Sequence, residues 1–135
     1  MGVGRGIFFG VSVGPGDPEL LTRKACRVLE ACPVIGAAQT AREEQLALSI
    51  ARRAVDLTGK EILSLPFSMA RDLAVRQAAW RRAAAMVRQV LDRGQDVAMV
   101  VLGDVSIYST YCYLMELLRE EGIGETDAFV AMRRR

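Results

Sequence analysis

The sequence predicts an α/β fold: one mostly parallel sheet with helices on both faces. Three observations predict it. Apolar, partly β-branched runs recur four times, at 7–13, 34–38, 61–67 and 96–103, each ending on Gly, Pro or a polar turn. Segments of helical period separate them. The runs are near-continuous rather than alternating, which is how strands read when both faces of a parallel sheet are covered.

Each element has a local reason. "IFFGVSV" ends at Gly14-Pro15-Gly16-Asp17, and Asp17 before Pro18 reads as an N-cap followed by a first helical residue. The expected helix is "PELLTRKACRVLEA", with Leu21, Ala25, Val28 and Leu29 at helical spacing and Pro33 beyond it. "VIGAA" is a second strand. Residues 39–45 are polar and read as a loop, followed by a short helix from about Leu46 to Val55. "EILSLPF" is a third strand, stopped by Pro66. From Asp72 to Arg93 runs the longest helix, with Leu73, Trp80, Ala84, Val87 and Leu91 as its buried stripe. Arg76, Arg81, Arg82, Arg88 and Arg93 are read as its solvated face, and Gly94 as its left-handed cap. "DVAMVVLG" is the fourth strand, and Ile107–Glu121 a last helix.

Composition narrows the function. A chain of 135 residues, 51% hydrophobic and 25% charged, suits one globular domain. A net charge of +2 does not argue for nucleic acid, and no apolar run is long enough to span a membrane. The N-terminus lacks the pattern of a signal peptide. Cys26, Cys32 and Cys112 form no C-x-x-C pair and read as reduced thiols, which fits a cytoplasmic protein. Histidine is absent, which excludes a Ser-His-Asp triad, a Cys-His pair and a His-ligated metal within the chain. No metal site is expected.

Two strand ends carry the chemistry. Gly14-Pro15-Gly16-Asp17 closes the first strand, and Gly103-Asp104 closes the fourth, followed by the hydroxyls of Ser106, Tyr108, Ser109 and Thr110. In an open parallel sheet, ligands bind outside the carboxyl ends of the strands. Glycines there let backbone approach a ligand, and a helix start behind them offers free N–H groups. Glu19 stands where a dinucleotide fingerprint wants a third glycine, and no Gly-Lys-Ser/Thr is present, so neither common nucleotide loop applies.

These two stretches carry a family resemblance. "FFGVSVGPGDPELLTRKACRVLEACPVI" resembles the opening of the tetrapyrrole methylases, and "LGDVSIYSTYCYLMELL" resembles their second signature. The likeness spans residues 7 to 124. Its wording, with "LSLPFSMARD" and the Trp80 helix, is closest to the subgroup that methylates precorrin-2 at C-20. The resemblance implies S-adenosylmethionine as methyl donor, precorrin-2 or cobalt-precorrin-2 as tetrapyrrole substrate, a place in cobalamin synthesis, and a homodimer. It places Pro15, Gly103, Asp104 and Ile107 at the cofactor site, with Ser109 and Thr110 beside them. Val105 stands where the family usually has proline.

The expected organisation is a family N-terminal domain over 1–124 and an atypical tail, "ETDAFVAMRRR", over 125–135, without the second domain of the family. A chain of that kind holds one wall of a two-walled site, so weak binding of S-adenosylmethionine by the chain alone is expected. The competing readings are an inactive half-domain and a nucleotide-binding regulatory module.

Overall fold

The computed structural model describes residues 6–13, 21–38, 43–68, 70–101, 114 and 116–119. Four strands, β1 (Phe8–Ser12), β2 (Val34–Ala38), β3 (Glu61–Leu65) and β4 (Val97–Val101), alternate with three helices, α1 (Arg23–Ala31), α2 (Glu43–Ala54) and α3 (Leu73–Asp92). The strands form one sheet in the order β1-β4-β2-β3, and every pairing is parallel. The predicted α/β class and parallel sheet are therefore observed.

Side chains alternate between the two faces, and two cores result. One face carries Phe8, Val34, Ala38, Leu65, Val97, Met99 and Val101 against Trp80, Ala83, Ala84, Val87 and Leu91 of α3. Leu114 and Leu118, in the helical residues after β4, join this core. The other face carries Val11, Val13, Ile35, Ala37, Ala98 and Val100 against Ala25 and Leu29 of α1 and Ala47, Ile50 and Ala51 of α2. All five residues of β2 and of β4 are buried, because both strands are central and covered on both sides. This is why their sequences read as unbroken apolar runs.

The helix boundaries correct the sequence reading in two places. α1 begins at Arg23, and its cap is Thr22, whose Oγ1 accepts the Ala25 N–H at 3.0 Å. Asp17 is therefore not the cap of this helix; Asp17 and Pro18 lie outside the described residues. α2 begins at Glu43, three residues before the expected start, inside the segment read as a loop. The long helix matches expectation at both ends. Asp72 caps it through Oδ1, which accepts the Ala74 N–H at 2.9 Å, and Gly94 follows with φ 83°. The tail at 125–135 lies outside the described residues.

Within α3 the buried stripe holds from Ala79 onward, but Leu73 is exposed. Length explains this. A helix of 20 residues is about 30 Å long, whereas a five-residue strand spans about 17 Å. Leu91 is buried at the far end, so the excess length projects past the carboxyl ends of the described strands, and none of these strands lies beneath Leu73.

Candidate functional site

Because all four strands are parallel, their carboxyl ends share one edge of the sheet. β1 and β4 are neighbours there, with Ser12 opposite Val101. The pairing runs one residue further, since the Val13 N–H donates to the Val101 carbonyl at 2.8 Å. The chain thus leaves two adjacent strands at the same level, one spacing of about 4.8 Å apart, carrying the Gly14-Pro15-Gly16-Asp17 and Gly103-Asp104 motifs.

The two strands send their connections to opposite faces. After β1 the chain reaches α1 on one core, and after β4 it reaches Leu114 and Leu118 on the other. Opposed exits from neighbouring strands open the crevice in which α/β proteins bind ligands. The other neighbouring pairs in this sheet have opposed exits as well; the β1/β4 pair is the one followed by both motifs.

The rest of the edge suits a ligand. Every helix that follows a strand begins on it, so the N-termini of α1, α2 and α3 give it a positive potential. Side chains near the edge are small: Ser12 on β1, and Gly36, Ala37 and Ala38 on β2. Ser12 is the only buried polar side chain among the described residues. Of the four large apolar residues left exposed among the described residues, three sit in the first turns of the helices that start here. Leu46 is 47% exposed, Leu73 51% and Val75 47%.

Pro15, Gly103, Asp104, Ile107, Ser109 and Thr110 all lie outside the described residues. The nearest described residues, Val13 and Val101, are hydrogen-bonded to each other at the ends of adjacent strands. Arg76 was assigned to the solvated face of the long helix. It is in fact half-buried, and its Nε is shut off from solvent with no hydrogen-bond partner among the described residues. The spacing 76, 80, 84, 87 was the available signal, since it puts Arg76 on the buried stripe. Arg81 and Arg82 are exposed as expected. Among the described residues there is no cluster of ligands for a metal, and no helix is long and apolar enough to cross a membrane.

Comparison with known proteins gives this edge a context. The family Tetrapyrrole (Corrin/Porphyrin) Methylases matches residues 8–125. Cobalt-precorrin-2 C(20)-methyltransferase of Salmonella typhimurium is 33% identical over 114 residues, covering 82% of this chain and 47% of the relative. A Methanocaldococcus jannaschii protein assigned the same reaction is 35% identical over 116 residues, covering 85% of this chain and 48% of its own length. The chain thus spans about half the length of these curated relatives. Two solved structures share its fold. Cobalt precorrin-4 methyltransferase aligns with a TM-score of 0.63 at 21% identity, over 92% of this chain and 45% of the other. Uroporphyrin-III-C-methyltransferase from Thermus thermophilus aligns with a TM-score of 0.61 at 24% identity, over 94% and 48%. The match over nearly the whole chain, on a sheet whose two motif-bearing strands lie side by side, shows that this chain belongs to the tetrapyrrole methylase family.

Proposed function

We propose that this chain supplies the cofactor-binding half of an S-adenosylmethionine-dependent methyltransferase that acts on precorrin-2 or cobalt-precorrin-2 at C-20, in cobalamin synthesis. The adjacency of the β1 and β4 carboxyl ends carries the reading, supported by relatives of that name at 33% and 35% identity. Pro15, Gly103, Asp104 and Ile107 would line the cofactor site, with Ser109 and Thr110 beside them. The Asp104 carboxylate would accept hydrogen bonds from the cofactor's polar groups. S-adenosylmethionine supplies an activated methyl group on sulfur.

The role of the protein is to hold donor and acceptor close and in line, which needs positioning more than an activated side chain. A chain without histidine can do this. The free thiols of Cys26 and Cys32 support work in a reducing cytoplasm. A homodimer is part of the same proposal and follows the family resemblance.

The test combines this chain with the remaining half of the Salmonella relative, and measures calorimetric binding of S-adenosylmethionine and methyl transfer to precorrin-2. Binding and turnover are expected, with Asp104→Ala weakening binding while leaving the unfolding midpoint in place. Tighter binding of adenine nucleotides than of S-adenosylmethionine, with no methylated product, would overturn the proposal in favour of a nucleotide-binding module.

A further inference from the structure

Arg76 is a cation in an apolar place. The stripe that packs α3 on the sheet runs through Leu91, Val87, Ala84 and Trp80, and the next position toward the carboxyl edge is Arg76. Its Nε is buried and unbonded among the described residues, and no described carboxylate pairs with it. The arginines at the opposite end of the helix differ. Arg88 pairs with Asp92 at 3.5 Å, and Arg93 lies 3.7 Å from Glu61, the four side chains being 38% to 55% exposed. An arginine kept for the fold is expected to have its donors met, because an unmet buried donor destabilises the folded state.

Position supplies the reason for keeping it. Arg76 sits where α3 passes the carboxyl edge, beside the exposed Leu73 and Val75. α3 packs over β3 and β4, so measured across the sheet its axis is offset from the β1/β4 crevice by about two strand spacings, roughly 10 Å. A precorrin is a broad apolar macrocycle with acetate and propionate groups on its rim. A ring whose reacting carbon meets the crevice would lay its rim along this edge, toward Leu73, Val75 and Arg76. A guanidinium presents planar, paired donors that match a carboxylate.

We propose that Arg76 binds a rim carboxylate of the tetrapyrrole and so helps to fix the orientation of the ring. The proposal rests on the reading of this chain as part of a precorrin methyltransferase. Its chemistry is that of a polycarboxylate tetrapyrrole, whichever metal the ring holds.

Trp80, the single tryptophan, lies one turn from Arg76 and reports on binding directly. Uroporphyrin, a stable octacarboxylate, is titrated into the 135-residue chain while Trp80 fluorescence is followed. Saturable quenching is expected. Arg76→Gln should raise the half-saturation concentration at least about tenfold, Arg76→Lys should recover part of it, and Arg82→Gln on the exposed face should leave it unchanged. A cationic tetrapyridyl porphyrin should bind no worse to Arg76→Gln than to the parent chain. Arg76→Leu extends the apolar stripe, so its urea midpoint should rise while uroporphyrin binding falls. Equal uroporphyrin binding by parent and Arg76→Gln, no binding by the parent, or a lowered midpoint in Arg76→Leu would each overturn the assignment. S-adenosylmethionine affinity, measured in parallel on the combined halves, should be unaffected by Arg76→Gln. A failure there counts against the methyltransferase reading and is separate from the porphyrin result.

Discussion

The two edges of the sheet are built differently. At the amino edge the chain is stitched together. The Lys60 ammonium donates to the Glu30 carbonyl at 2.8 Å and the Cys32 carbonyl at 2.7 Å, closing the end of α1. The Asp96 carboxylate accepts the Ile7 N–H at 2.7 Å. The Leu91 carbonyl accepts N–H groups from both Gly6 and Gly94, each at 2.9 Å. At the carboxyl edge the described residues instead show helix starts, small side chains, exposed apolar residues and the buried Nε of Arg76. The first edge spends its polar groups on itself, and the second keeps its surface for something else. Stability and binding are thus separated by the direction of the strands.

The largest effect should come from the amino edge. Leu91→Ala removes a fully buried side chain from the last turn of α3 and opens a cavity under β4. A loss of about 3 kcal/mol in urea titration is expected. A loss under about 1 kcal/mol would mean that this edge is looser than its hydrogen bonds suggest.

The contrast between edges was only half legible in the sequence. The four strands and α3 could be read because each has a strong local signal: unbroken apolar runs for the strands, and an apolar stripe with Gly94 beyond it for α3. The order β1-β4-β2-β3 could not, since two fully buried strands carry no mark of their neighbours. Asp17-Pro18 outweighed Thr22 as a helix start because Pro favours a first helical position in any context. Glu43 and Glu44 hid the start of α2, being polar at the place where an apolar period was sought. Arg76 was assigned by its charge although the stripe spacing includes it, and Leu73 was placed in the core for a different reason. Periodicity locates a stripe around a helix, but it does not say where along the helix the sheet ends.

Alkaline pH gives the next test of the amino edge. Burial first, and the Asp96 charge second, push the Cys32 thiol up from 9.0 to about 12, against a smaller opposing effect of Lys60. Between these values the unfolded chain loses the proton and the folded chain keeps it. Stability is therefore unaffected below about pH 9 and falls as pH rises above it, by about 1.4 kcal/mol per unit. Cys32→Ala should remove this component, so parent and variant should diverge above pH 9 and run parallel below. Divergence below pH 8 would assign the effect to another group.

Lys60→Met should follow, at about 1 kcal/mol, because it leaves two carbonyls without their charged donor while preserving the aliphatic stem. The loss should show in the unfolding midpoint, with the porphyrin titration unchanged, since Lys60 lies at the opposite edge from the β1/β4 crevice. A weakened porphyrin affinity would join the two edges that the comparison separates.

The smallest effect should come from the carboxyl edge. Leu73 and Val75 look like core residues by type, and each is about half exposed. Leu73→Ser with Val75→Ser removes apolar surface that the folded chain already leaves in water, so the transfer contribution to stability is nearly absent. Asp72 still caps the helix, and serine in the first turn is tolerated. The double variant should unfold within about 0.5 kcal/mol of the parent, and should bind less of an apolar fluorescent dye. A loss above about 1.5 kcal/mol would place these side chains in the core, and the carboxyl edge would then serve the fold as the amino edge does.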